Sequence, residues 1–540
     1  MNRRNFIKSG SAAGLITTIG LPASAAIVTN NDITTAFKDD FELNEITITE
    51  LQNLMKYGKV SSKSITKLYL KRIEALDKKG PKLNAVIEIN PDALEIASKM
   101  DEERKAGNIR GMMHGIPVLI KDNINTADKM QTTAGALALA GNIASLDAFI
   151  VKKLREAGAV ILGKTNLSEW ANFRSTRSCS GWSSRGGQTK NPNILDRSPS
   201  GSSSGSGCAA SANLCAIAIG TETNGSIIAP SSYNGLVGFK PTVGLLSRSG
   251  IIPISKTQDT AGPMGRTVTD VAILLSALTG EDEQDEATKG SSAKTQKDYT
   301  QALKNDGFKG KKIGVEKSFL TGHEGVVKLY QNAIAKLKEL GAEIIEVELL
   351  KELRVIGSAS FTVLQCEFKD GVNAYLKTAN AKVKNLTEVI AFNKANENTT
   401  MPYFKQETLE SSDKAPAISS AAYKEAVEKV LSSRKIITDL MAKNNLDAIV
   451  GTSYGIPSLI DLFNGDYSNG FYFCSPAAMA GFPHITVPMG KIYELPVGLS
   501  IMANAYEEDK VLNMAFTFEQ ATKHRTAPKF LKSSNFSSGI

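Results

Sequence analysis

Two segments carry side chains whose types and spacing could do chemistry. The first is Thr221-Glu222-Thr223-Asn224-Gly225-Ser226-Ile227, which follows the short apolar run Ala216-Ile217-Ala218-Ile219-Gly220. That run has the character of a buried strand, and Thr223 to Ser226 then reads as a tight turn. Successive N–H groups in such a turn can point into one cavity. A serine closing it, Ser226, has donors on one side and a hydroxyl on the other, which is the pairing of nucleophile and oxyanion hole that acyl transfer needs. Taken alone, the turn fits a plain strand-to-loop connection as well.

The second segment is Ser200-Gly201-Ser202-Ser203-Ser204-Gly205-Ser206-Gly207. Its composition suits a flexible linker, yet it leads straight into Cys208 to Ala216, a helical stretch of small residues, and a linker would not enter a core helix. Close packing there brings backbone N–H groups to a helix N-terminus, a place that favours anions and hydroxyl networks. Gly201 to Gly205 also matches G-x-S-x-G, which would make Ser203 the nucleophile of an α/β-hydrolase. That elbow requires a strand immediately before it, and Lys190 to Pro199 is loop chemistry instead. The four histidines (His114, His323, His484 and His524) have no metal-ligand spacing and there is no Cys-x-x-Cys, so neither a metal nor another cofactor is expected.

The elements that must position these segments follow from hydrophobic patterning. A chain of 540 residues with 42% hydrophobic content can bury one large core or two ordinary ones, which excludes a disordered or fibrous protein. Thr49 to Leu76 repeats apolar residues at helical spacing around Gly58. Gly115 to Ile120 reads as a buried strand ending at Lys121, Ala148 to Glu156 as a helix and Ala159 to Leu162 as the next strand, so the unit is β-α-β and its strands are parallel. The pattern recurs with a helix over Glu324 to Leu340 and a strand over Glu343 to Val347, and again with Lys424 to Lys443 and Asp447 to Val450. An α/β fold with one large sheet covered by helices on both faces is expected, with a surface cap insertion at 368–417 where the pattern loosens.

The five cysteines cannot form a disulfide framework. Cys208 and Cys215 would stand about 10 Å apart along one helix, so they read as small core residues. The net charge of +8 includes three cations near the N-terminus and gives weak grounds for a polyanionic partner, so no nucleic acid is expected. Those three, Arg3, Arg4 and Lys8, with Phe6 and the mild apolar run Ala12 to Leu21, have the layout of a twin-arginine signal, and Ala23-Ser24-Ala25 suits signal peptidase. The expected organisation is a signal peptide over 1–25, a polar connector over 26–42, one domain over 43–530 and a polar tail over 531–540. The precursor would meet the twin-arginine export machinery, and the mature protein would work in the periplasm or outside. No later run approaches 18 apolar residues, so no membrane span is expected in the mature form.

Lys121, the Gly201 to Ser206 run and the Thr223 to Pro230 segment together resemble the amidase signature family, whose pattern is a Gly/Ser run followed by G-T-D-x-G-G-S-I-x-x-P. The spacing agrees: Ser226 lies 24 positions after Ser202, and Lys121 lies 81 before it. Similarity continues through Gly235 to Thr242, Gln258 to Met264, Gly481-Phe482-Pro483 and Leu495 to Leu499. The resemblance spans roughly Leu43 to Thr526 and implies the amidase-signature fold, a large mixed, mostly parallel sheet. It further implies Ser226 as nucleophile, Ser202 as bridging serine, Lys121 as base and a cis peptide between Gly201 and Ser202.

A lysine held away from water at a strand end can be neutral and accept a proton. Ser202 would relay that proton from Ser226, the N–H groups of Thr223, Asn224, Gly225 and Ser226 would hold the oxyanion, and Ser203 would hydrogen-bond within the network. Ser200 and Ser204 replace the family's usual Gly, Glu222 its usual Asp, Asn224 a common Gly and Ile228 a frequent Arg. Glu222 to Ser226, with Leu246 to Ser255, looks most like the peptide amidase branch. The implied function is hydrolysis of small-molecule or peptide amides through an acyl-enzyme. The alternatives are the amidase component of a tRNA-dependent amidotransferase and a secreted binding protein on the same scaffold without turnover.

Overall fold

Short apolar runs bounded by glycine and polar turns form the strands of the protein, whose computed structural model describes residues 40–533. The expected signal peptide over 1–25 lies outside the described residues, as does most of the connector over 26–42. The strands are β1 (Val86–Ile89), β2 (Pro117–Lys121), β3 (Val160–Thr165), β4 (Trp182–Ser183), β5 (Gly187–Gln188), β6 (Ile217–Glu222), β7 (Val237–Lys240), β8 (Thr260–Gly265), β9 (Lys312–Glu316), β10 (Glu343–Val347), β11 (Ala448–Thr452), β12 (His484–Ile492) and β13 (Leu495–Met502). Eleven of them make one sheet in the order β1-β3-β2-β6-β8-β7-β12-β13-β11-β9-β10, and β4 pairs with β5 separately.

The sheet is mixed. Parallel pairing holds on the two flanks, β3-β2-β6 and β11-β9-β10. There β2 reaches β3 through the helix Phe149–Glu156, and β9 reaches β10 through the helix Glu324–Glu339, as the β-α-β reading requires. The centre is antiparallel, from β6-β8-β7 through β12-β13 to β11, and β1 is antiparallel at one edge. The expected large mixed sheet is present with its parallel pairing on the flanks; in the centre the strands are antiparallel, through a tight hairpin between β12 and β13 and through tertiary pairings among β6, β8, β7, β12, β13 and β11. Every residue of β2, β3, β6, β7, β8, β11 and β13 is buried. Alternate strand side chains point to opposite faces, so both faces of this sheet are covered. The exposed Glu343 and the partly exposed Ile344 and Ile345 belong to edge strand β10.

Strand register places the chemistry. The pairing of Ile120 with Ile219 sets the C-terminal ends of β2 and β6 side by side, which brings Lys121 next to Thr221. The helix that follows the Gly/Ser run spans Ser204–Ser211, starting inside that run, and all eight of its residues are buried. The composition now has a steric cause. A Cβ added at Gly205 would stand 2.3 Å from the Ala85 carbonyl oxygen and 2.4 Å from that of Asn166, so only small residues let this helix sink against the sheet. All five cysteines are free and buried.

Residues 368–417 lie among helices, and the one that enters the segment runs from Gly357 to Thr378 without a break at 368. With Leu386–Ala395 and Glu407–Asp413 it forms a cap that has its own apolar cluster. Phe368, Val372, Leu386 and Leu409 pack there with Trp170, Phe173, Ile252 and Ile254 from loops of the main body. The buried Arg174–Glu169 pair (2.5 Å) fastens the same junction, since Arg174 also donates to the Thr400 and Lys405 carbonyls. The tail expected from 531 begins docked, because Leu531 exchanges backbone hydrogen bonds with Asn193 and Leu195.

Phe368 is fully buried, with ring centroids 6.0 Å from Trp170 and 5.0 Å from Phe173. Phe368→Ala is expected to cost about 3 to 5 kcal/mol of stability by chemical denaturation and to raise proteolytic cleavage within 357–417. Wild-type resistance to both would mean the cap does not depend on this cluster.

Candidate active site

Lys121 is the last residue of β2 and has no exposed surface. Its Nζ donates to Ser202 Oγ at 2.8 Å, to Thr221 Oγ1 at 2.9 Å and to the Thr221 carbonyl at 3.3 Å. Burial pushes the amine down to about 7, against the nearby carboxylates of Asp259 and Glu222, which act to raise it. Lys164 and Lys240 are also fully buried and pushed down to about 8 by the same desolvation. Neither meets the serine segments: Lys164 donates to the Ile124 carbonyl and Thr132, and Lys240 to the Pro241 carbonyl. Position and hydrogen bonding, rather than burial alone, single out Lys121.

The Gly201–Ser202 peptide is cis. Ser203, next in line, is committed to structure. Its hydroxyl donates to the Thr221 carbonyl at 3.1 Å and accepts from the Thr221 N–H at 3.2 Å, while its N–H donates to the Ser226 carbonyl at 3.2 Å. These bonds stitch the cis segment to β6 and to the turn that follows. Residues 198–200 are not a strand, so the α/β-hydrolase elbow is absent and Ser203 has no free hydroxyl to attack with.

The turn from Thr223 to Ser226 is held from several sides. Glu222, buried at the end of β6, accepts from the N–H groups of Ile227 (2.8 Å) and Ile228 (3.0 Å), which lead into the helix Ile228–Tyr233. Tyr472 donates to the Asn224 carbonyl at 2.8 Å. Gly225 has φ +85°, and a Cβ there would come within 2.1 Å of the Tyr472 hydroxyl, so the turn tolerates no side chain at this position. Among the described residues, the N–H groups of Thr223, Asn224, Gly225 and Ser226 find no protein acceptor. Four consecutive unpaired donors suit an oxyanion.

Ser226 is 8% exposed and lines a cavity of ≈ 320 Å³ with Gly201, Thr223, Asn224, Tyr454 and Asp466. Its hydroxyl has no hydrogen-bond partner among the described residues. The structure thus makes the Lys121–Ser202 contact directly and joins Ser202 to Ser226 only through the Ser203 N–H. Hydroxyl contacts of this kind commonly tighten only when substrate is bound. A second cavity of ≈ 190 Å³ lies on the Lys121 side, lined by Asn123, Thr221, Arg248 and Asp259, and both cavities share Ala171, Thr223 and Ile254.

Of the aromatics near the site, Tyr454 lines the larger cavity and stacks on Tyr233 at 4.6 Å, while Trp170 and Trp182 are buried in apolar clusters. Sequence reasoning did not foresee that Glu222 would tether the turn, or that Gln258 and Asp259 would hold Thr223 by its carbonyl and its hydroxyl. The signal for Glu222 was an acidic residue placed just ahead of a short helix start. Among the described residues there is no group of three or more His, Cys, Asp or Glu arranged to hold a metal.

A model of the amidase family matches residues 64–512. The chain is 46% identical to the native peptide amidase of Stenotrophomonas maltophilia, whose solved structure it matches with a TM-score of 0.86 over 91% of this chain and 99% of that one. It is 42% identical to a probable amidase of Arabidopsis thaliana over 91% of this chain and 93% of the relative. It is 37% identical to a glutamyl-tRNA(Gln) amidotransferase component of Thermoanaerobacter pseudethanolicus, over 90% of this chain and 99% of the relative.

Proposed function

From the premise that this chain belongs to the amidase family and is an amide hydrolase, we propose that it removes C-terminal amides from peptides, with Ser226 as nucleophile, Ser202 as relay and Lys121 as base. The observation that carries the mechanism is the 2.8 Å contact between a fully buried lysine and Ser202. A lysine poised near neutrality is an effective general base. It takes the proton of Ser202 as Ser202 takes that of Ser226, and Ser226 Oγ attacks the amide carbonyl carbon.

The negative oxygen meets the N–H groups of Thr223, Asn224, Gly225 and Ser226. Collapse breaks the C–N bond, the proton returns through Ser202 to the leaving nitrogen, and ammonia departs. Water then takes the same path of proton loss and hydrolyses the acyl-enzyme. The likeness to the Stenotrophomonas enzyme supports a peptide substrate over a simple amide, and so does the rim of the larger cavity, where Phe361 and Asp466 stand exposed. Export through the twin-arginine route is proposed as well, on Arg3-Arg4-Asn5-Phe6-Ile7-Lys8 and the apolar run after it. Among the described residues, no helix is long and apolar enough to cross a membrane.

Ser226→Ala is expected to lower hydrolysis by about 10⁴-fold or more, and a fluorophosphonate probe is expected to label wild type but not the variant. Activity retained by Ser226→Ala would remove the assignment. A panel of peptide amides, aliphatic amides and aryl amides should give the peptide amides the highest kcat/KM; a preference for aryl amides would refute the substrate class.

Because catalysis needs the uncharged amine, kcat/KM should rise with pH through an acid limb centred near pH 7, the value to which burial lowers Lys121. A limb near pH 10 would show a solvated base instead. For export, Arg3→Lys with Arg4→Lys should hold the protein in the cytoplasm, as read by cell fractionation; unchanged release to the periplasm would exclude that route.

A further inference from the structure

Four donors can serve an oxyanion only if the turn that carries them is fixed at both ends. Its far end is tied by Glu222 to Ile227 and Ile228, its middle by Tyr472, and Ser226 by the Ser203 N–H. The near end, Thr223, is held by two residues that the mechanism has not used. Gln258, fully buried, donates from Nε2 to the Thr223 carbonyl at 3.2 Å. Asp259 accepts from Thr223 Oγ1 through one carboxylate oxygen and from the N–H groups of Ile254 and Ser255, both at 2.8 Å, through the other.

Each of these residues continues into the cap. Gln258 Oε1 accepts from Ser360 Oγ at 3.3 Å. Ser255, held by Asp259 at its N–H, donates from its hydroxyl to Glu367. Glu367 is 2% exposed and also accepts from the Thr257 N–H and hydroxyl and from Tyr423 OH at 2.6 Å. Ser360 and Glu367 both sit on the helix Gly357–Thr378. Two polar lines therefore run from one cap helix to the first residue of the oxyanion turn, one gripping its backbone and the other its side chain, and they are cross-linked where the Gln258 N–H donates to Ser255 Oγ at 3.1 Å.

We propose that Gln258 and Asp259 are positioning residues that aim the oxyanion turn and tie it to the cap helix, so that the seating of the cap sets the catalytic rate. The inference rests on the amide-hydrolase reading of this site. Hydrogen-bond donors act on a developing charge only when held at the right place beforehand, and a displacement of about 1 Å costs about 100-fold. The charged groups that act with Asp259 are Lys121 at the end of β2 and Arg248; Lys256 and Asp285 line the smaller cavity with it, and Glu222 at the end of β6 acts on the same Lys121 amine. The Asp259 carboxylate lifts the Lys121 amine, so removing that charge lowers the base as well as loosening the turn.

The test is steady-state kinetics on a peptide amide with Gln258→Met and Asp259→Asn, which keep side-chain size. Both are expected to fold, with kcat reduced about 10- to 100-fold and KM within about threefold of wild type. Asp259→Asn should also move the acid limb of the kcat/KM profile to lower pH, and Gln258→Met should leave it in place. A purely structural role would lower the melting temperature without that split. Should either variant fail to fold, Ser360→Ala removes a single hydroxyl at the cap end and is expected to lower kcat about 2- to 10-fold. Wild-type kcat in the folded variants, or a loss confined to KM, would overturn the proposal while Ser226→Ala remained inactive. Activity retained by Ser226→Ala would overturn it together with the function on which it rests.

Discussion

The structure depends on keeping one ammonium group dry. In water Lys121 would be charged at neutral pH and could not serve as the base proposed for it, but here it ends a fully buried strand and points its amine at Ser202 and Thr221. Desolvation has to outweigh two carboxylates, Asp259 and Glu222, that favour the charged form. Both acids are also held in place: Glu222 accepts from the amides of Ile227 and Ile228 through one oxygen, and Asp259 from Thr223, Ile254 and Ser255 through both. Donors that favour the ionised carboxylate of Asp259 keep that charge beside the amine, so burial alone brings the lysine down.

Close packing around the lysine sets the rest of the design. The segment that presents Ser202 has to lie against the ends of β2 and β6, which only a helix of Ser, Gly, Cys and Ala can approach closely enough. The small residues that make this stretch resemble a linker are what allow it to be buried. Ser203 then exchanges hydrogen bonds with both backbone groups of Thr221 and reaches the Ser226 carbonyl. Two serine segments distant in sequence become one rigid frame, leaving the Ser226 hydroxyl facing the cavity.

Buried carboxylates recur as clamps farther out. Glu222 fixes the far end of the turn, Asp259 the near end, and Glu367 gathers Ser255, Thr257 and Tyr423 beneath the cap helix. A buried acid is costly unless several donors satisfy it, so each of these holds its partners in one arrangement. The cap is thereby joined to the site by polar lines as well as by the apolar cluster around Phe368 and Trp170.

Local patterning in the sequence determined the strand that ends at Lys121, the β-α-β units on the flanks, the turn that closes on Ser226 and the burial of the cysteines, because apolar periodicity and turn residues act over a few positions. The antiparallel centre of the sheet was decided only by the tertiary structure, since β8 inserts between β6 and β7, and β7 pairs with β12 from far along the chain. So were the duties of Gln258, Asp259 and Glu367, whose partners lie as far as 112 positions away. A motif can state which groups are present. Whether an amine is dry, and whether a turn is held at both ends, depends on what packs around them, and that comes from the whole fold at once.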